Sequence, residues 1–143
     1  MKYHHILVAY DGSETSKKAL AHAIKIVENQ PICKLTVAHV LNRPPYAIAS
    51  YGLVLPEGYQ EKIQEYENAL MQQATEQIQN LPYAKIAMLK GNPASAILDH
   101  ANENACDLIV MGNRGLGAIK EWMLGSVSHH VVQQARMPVL IVK

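Results

Sequence analysis

Residues 112–128 read GNRGLGAIKEWMLGSVS, with glycine at 112, 115, 117 and 125 and serine at 126 and 128. These are residue types that hold an anion through the backbone. Glycine brings N–H groups close to a ligand with no side chain in the way. Gly125-Ser126-Val127-Ser128 stands where a helix is expected to begin, and a helix start presents unspent N–H groups and the positive end of the dipole. Ser126 and Ser128 bring hydroxyl donors, and Arg114 brings a cation with several donors. The chemistry indicated is phosphate binding. Two familiar phosphate loops do not fit. A Walker loop requires Gly-Lys-Ser/Thr after the four-residue gap, and here Gly117 is followed by Ala118 and Ile119. A dinucleotide fingerprint starting at Gly115 would need glycine where Lys120 stands, and it belongs at the first strand-to-helix turn, where this chain has YDGSETS. A structural alternative stays open: glycine-rich loops exist without ligands, and Ser126 could serve only as a helix cap.

Asp11 follows the first apolar run. It could accept hydrogen bonds from ribose hydroxyls or an adenine amino group, or it could cap its own turn. The adjacent pairs His4-His5 and His129-His130 point in different directions on a strand or a helix, which disfavours a converging metal site. His39 sits inside an apolar run and reads as a packed histidine. Trp122 and Met123 read as packing residues of a flap or partner surface. Cys33 and Cys106 are the only cysteines. They form no CxxC pair, carry no charge pattern marking a reactive thiol, and suit a reducing cytoplasm.

The elements that must position these residues follow from periodicity. His5 to Tyr10, Lys34 to Leu41, Ala84 to Leu89, Asp107 to Met111 and Pro138 to Val142 are short apolar runs, the pattern of strands covered on both faces. Between them lie helical stripes: Ala19, Leu20, Ala23, Ile24 and Val27; then Ile63, Leu70, Ala74 and Ile78, with Glu, Gln and Lys elsewhere; then Val127, Val131 and Ala135. Ser13 is the expected N-cap of the first helix, and Asn92-Pro93 opens the third. The alternation predicts an α/β fold, a parallel sheet with helices on both faces. Such a sheet binds ligands where its winding reverses, at the carboxyl ends of two strands. If the reversal lies between the first and fourth strands, Asp11 and the Gly112 segment face one crevice. Residues 42 to 58 form a long loop, a length often tied to function, with Tyr46 and Tyr51 as candidate contacts.

With 143 residues, the chain suits one domain spanning 1–143. A hydrophobic share of 49%, a charged share of 17% and a net charge of +1 are ordinary for a globular protein and supply no field for nucleic acid or membrane. No apolar run approaches the roughly 20 residues needed to cross a bilayer. The N-terminus reads as a strand, not a signal peptide.

Gly112, two residues, Gly115, nine residues, then Gly125-Ser126 resembles the ATP-binding motif of the universal stress protein family. The flanks DLIVMGNRGLG and LGSVSHHVVQQARMPVLIV agree, as do ILVAYDGSETSKKAL and GNPASAIL, so the likeness covers almost the whole chain in matching order. It implies a three-layer Rossmann-like fold of the adenine nucleotide alpha hydrolase type, with a five-stranded sheet ordered 3-2-1-4-5. It implies that Ala9, Asp11 and Val40 line the adenosine side. Met111, Gly112, Arg114 and Gly115 would border ribose and phosphates, and Gly125, Ser126, Val127 and Ser128 would hold the phosphates. In that family Mg²⁺ or Mn²⁺ often accompanies ATP, and dimers commonly form through the last strand, here residues 139–142. Asn113 departs from the family's usual serine or threonine.

The expected function is therefore an ATP-binding regulatory or stress-response protein with at most slow hydrolysis. No Walker lysine and no evident general base stand near the glycines. The alternatives are a nucleotide-dependent ATPase or transferase on the same fold, and a module acting only through its dimer surface. A receiver-like domain is set aside, because the third strand ends in Met88-Leu89-Lys90-Gly91 without an aspartate.

Overall fold

The five apolar runs form one sheet: β1 (His5–Ala9), β2 (Lys34–Leu41), β3 (Ala84–Lys90), β4 (Leu108–Gly112) and β5 (Val139–Val142). All pairings are parallel, in the order β3-β2-β1-β4-β5. This is the expected order, and the winding reverses between β1 and β4. The computed structural model describes residues 1–41, 52, 56–114 and 124–143. The expected contacts of Tyr46 and Tyr51, and those of Gly115, Trp122 and Met123, lie outside these residues.

Four helices among the described residues cover the sheet: α1 (Glu14–Glu28), α2 (Tyr59–Ile78), α3 (Pro93–Glu103) and α4 (Ser126–Gln134). Side chains alternate across the pleat, so the core has two halves. Ile6, Val8, Tyr10, Leu35 and Val37 pack with Ala19, Leu20 and Ala23 of α1 and with Leu70, Ala74 and Ile78 of α2. Leu7, Ala38, Ile109 and Met111 pack with Ala94, Ile97 and Leu98 of α3 and with Val131 of α4. At about 25 cal/mol per Å² of apolar surface removed from water, these two layers drive folding.

The expected caps are present. Ser13 accepts from the Ser16 N–H at 3.2 Å. Asn92 accepts from the Ser95 N–H at 3.1 Å, with Pro93 in the first turn. One expectation about α2 fails. The glutamates of this helix were expected off its apolar stripe, yet Glu67 is 6% exposed and lies on the stripe with Leu70 and Ala74. The reason is a polar partner inside the fold, described below. The sheet's edges differ: β3 carries Lys85 and Lys90, whereas β5 carries no charge.

A cradle at the carboxyl ends of the strands

β1 ends at Ala9, although the Tyr10 N–H still donates to the Ala38 carbonyl at 2.9 Å. The chain then turns through Gly12 at φ 85°, a conformation glycine adopts without strain. Beside it β4 runs one residue further, to Gly112. A Cβ at Gly112 would lie 2.7 Å from the Thr15 Cβ and 2.9 Å from the Thr15 carbonyl carbon. Only glycine lets α1 and the end of β4 approach this closely. The Thr15 hydroxyl fixes that approach by donating to the Arg114 carbonyl at 2.6 Å.

Asn113 joins the end of β4 to the start of α4. Its N–H donates to the Val142 carbonyl at 2.8 Å, and its carbonyl accepts from the Gly125 N–H at 2.7 Å and from the Ser128 hydroxyl at 2.9 Å. The Ser128 hydroxyl is thus turned inward, and Ser128 is 3% exposed. Gly125 is the N-cap of α4 and makes no side-chain capping bond, so Ser126 is the first helical residue and not the cap. The first intrahelical bond runs from the His129 N–H to the Gly125 carbonyl at 2.9 Å. The N–H groups of Ser126, Val127 and Ser128 precede it and form the positive end of the helix.

A cavity of about 630 Å³ opens between these elements, within the usual range for a small-molecule site. Ala9, Asp11, Val40, Met111, Gly112, Arg114, Gly125, Ser126, Val127 and Ser128 all line it. Of the residues expected to hold the nucleotide, Gly115 alone lies outside the described residues. Asp11 lines the cavity and also caps its turn, accepting from the Ser13 N–H at 2.9 Å. The two readings of Asp11 are therefore compatible.

The cavity also reaches residues that the sequence did not assign to a site. His39 is 5% exposed and sits where a packed histidine was expected, but it is fully engaged. Its Nδ1 lies 2.8 Å from the Tyr10 carbonyl, and its Nε2 contacts the Glu67 carboxyl group. A carbonyl can only accept, so Nδ1 carries a proton. The Nε2–Glu67 contact then shares a second proton, and this is why α2 carries a buried acid. Burial also pushes the Tyr10 hydroxyl above its ordinary pKa, with the Asp11 charge acting in the same direction.

The remaining histidines and cysteines lie apart from the cavity. Asp107 accepts from the His4 N–H at 2.8 Å and the His5 N–H at 3.0 Å, tying β1 to β4 at their amino ends. Burial raises the Cys33 thiol and pushes Cys106 up to about 11, so neither is a ready thiolate.

The parallel sheet in the order β3-β2-β1-β4-β5, with helices on both faces, defines the class: a small Rossmann-like α/β protein. Residues 2–143 match the universal stress protein family, and the chain belongs to it. Universal stress protein YxiE of Bacillus subtilis is 38% identical over 99% of both chains. Among solved structures, the protein MJ0577 of Methanocaldococcus jannaschii superposes with a TM-score of 0.80 at 26% identity, over 99% of this chain and 96% of that one. A universal stress protein solved in complex with cAMP superposes with a TM-score of 0.63 at 27% identity, over 99% of this chain and 97% of that one.

Proposed function

We propose that the chain binds an adenine nucleotide, ATP foremost, with its phosphates on the α4 start and its nucleoside between the ends of β1 and β2. The observation that carries this is the uncapped first turn of α4, which opens into the same cavity as Gly112 and Arg114. Unspent N–H groups, a helix dipole and a guanidinium converge there, the arrangement that holds phosphate. The relative bound to cAMP supports an adenine nucleotide as the ligand class. Ala9 and Val40 offer the base an apolar surface, and Asp11 offers the ribose a carboxylate. Mg²⁺ or Mn²⁺ would be held mainly by the nucleotide's own phosphate oxygens. The carboxylates lining the cavity are Asp11 and Glu67 among the described residues, and Glu67 is engaged by His39.

Binding is read here as a regulatory signal with at most slow hydrolysis. Efficient phosphoryl transfer needs a positioned base and charge-stabilising groups at the leaving oxygen. The charged group lining the phosphate end is Arg114 among the described residues. Nucleotide occupancy would act through a homodimer formed along β5, whose uncharged strand is an edge that a partner should cover. Leu140 is 38% exposed on that edge. The reading places the protein in the cytoplasm, where two buried free thiols remain reduced. Among the described residues no helix is long and apolar enough to cross a membrane.

Titration calorimetry of nucleotide-stripped protein with ATP, ADP, AMP and cAMP tests the reading. Binding of ATP that weakens as phosphates are removed supports it. Failure of all four to bind rejects it, and turnover near about 10 s⁻¹ would make the protein an enzyme instead.

A further inference from the structure

His39 follows Leu35 and Val37 on one face of β2, and both of those pack into the α1–α2 half of the core. An apolar side chain would suit the place. The chain instead buries a histidine there and an acid on α2 to meet it. Exchanging such a pair for apolar residues is often neutral or stabilising, so stability alone does not account for it. What the pair holds is the backbone that leads into Asp11. The β1–β2 ladder closes with the Tyr10 N–H donating to the Ala38 carbonyl at 2.9 Å. The Tyr10 carbonyl then accepts from His39 Nδ1 at 2.8 Å, a side chain in place of a further rung. The peptide that follows is trans and planar. Holding its carbonyl therefore fixes the whole Tyr10–Asp11 unit and the direction in which the chain enters Asp11. Beyond Asp11, Gly12 turns the chain and the Ser13 N–H donates to the Asp11 carboxylate at 2.9 Å. Asp11 is thus held from both sides, and the hold from before comes from β2 and α2. Glu67, at Nε2, keeps the ring oriented with its Nδ1–H on the carbonyl.

We infer that His39, oriented by Glu67, is a positioning residue for the nucleoside: it sets the Tyr10–Asp11 peptide and so places the Asp11 carboxylate against the ribose or the base. This rests on the nucleotide reading above. The phosphate half of the cavity is tied together by separate bonds, through Thr15, Asn113 and Ser128. Loss of the His39 bond therefore acts on the nucleoside and spares the phosphates.

Calorimetry with AMP and with inorganic tripolyphosphate separates the two halves. His39→Gln loses the donor at the Nδ1 position and should bind AMP about tenfold more weakly, with tripolyphosphate unchanged. His39→Asn carries an amide nitrogen where Nδ1 stood but is too short to reach Glu67. It should rescue AMP affinity to within about threefold of wild type, although urea unfolding shows it destabilised by the stranded acid. A histidine that served stability alone would give affinity losses that follow stability in both variants. Should His39→Gln fail to fold by circular dichroism, the double variant His39→Leu, Glu67→Leu takes its place, with the same loss of AMP expected. Unchanged AMP affinity, an equal loss in His39→Asn, or a parallel loss of tripolyphosphate would each overturn the positioning role and leave the nucleotide reading standing. A wild-type chain that binds neither AMP nor ATP would refute that reading, and this assignment with it.

Discussion

Gly112→Ala tests the close approach on which the cradle depends. The added methyl would sit 2.7 Å from the Thr15 Cβ and 2.9 Å from its carbonyl carbon, the second a backbone atom of α1. No rotamer of Thr15 relieves a backbone contact, so α1 or the end of β4 must move. Overpacking of this kind costs about 1–3 kcal/mol. The movement also strains or breaks the 2.6 Å bond from Thr15 to the Arg114 carbonyl, worth about 1 kcal/mol. The sum is about 2–4 kcal/mol, a large part of the 5–15 kcal/mol typical of a domain. Urea unfolding should show the midpoint falling by roughly 1–2 M at an unchanged slope. Thr15→Ala removes the bond but keeps the Cβ, and should cost only about 1 kcal/mol. ATP affinity, measured by calorimetry under folding conditions, should fall in Gly112→Ala because Arg114 is displaced. A midpoint within about 0.3 M of wild type would refute the claim that glycine is required by this contact.

Glu67→Leu should destabilise by about 1–3 kcal/mol in urea unfolding, since it leaves the buried His39 Nε2 without its hydrogen-bond partner. The double variant His39→Leu, Glu67→Leu should recover most of that loss, because an apolar pair of similar volume often replaces a buried polar pair without penalty. Arg114→Gln should weaken ATP about tenfold by calorimetry and AMP much less, because a guanidinium acts on the distal phosphates. Stability should fall on acidification in two stages. Burial depresses the His5 pKa below the ordinary 6.5, so the folded state favours the neutral ring, and that contribution is lost as pH falls from 6.5 through the folded value. For Asp107, burial opposes ionisation, but the His4 and His5 N–H groups outweigh it and hold the carboxyl below 3.8. Its contribution is lost only as pH falls from 3.8 through that lower value. In urea midpoints measured against pH, Asp107→Asn should erase the lower stage and leave the upper one.

Much of the frame was legible because parallel strands are apolar throughout, and helices between them repeat every three to four residues. The caps at Ser13 and Asn92 were legible because their side chains advertise the role. Strand order was not derivable from pattern; it came from assuming a reversal between β1 and β4, and from family likeness. Thr15 was invisible, since a threonine in a first helical turn carries no sign of what it will meet 99 positions away. Asn113 works chiefly through its backbone carbonyl and N–H, which any residue type possesses. Glu67 had a faint signal: it lies four positions after Ile63 and three before Leu70, on the buried stripe itself. A buried acid requires a buried partner, and His39, also polar within an apolar run, was the matching clue.

Asn113 and Gly125 clasp each other at 2.7 Å, and a second bond from Ser128 doubles the clasp. The two halves of the proposed phosphate cradle are therefore joined by the fold before any ligand arrives. The two ends of the eleven-residue stretch between them are thus held together by the clasp itself, and the entropy of bringing those ends together is already settled. A nucleotide spanning both halves need not supply that ordering free energy, and all of its phosphate contacts can count toward affinity. The spacing between the halves is then not a ruler. Doubling the length of such a loop adds only about 0.6 kcal/mol to its closure, so what sets the distance between the clamps is the clasp at Asn113, not the number of residues that separate them.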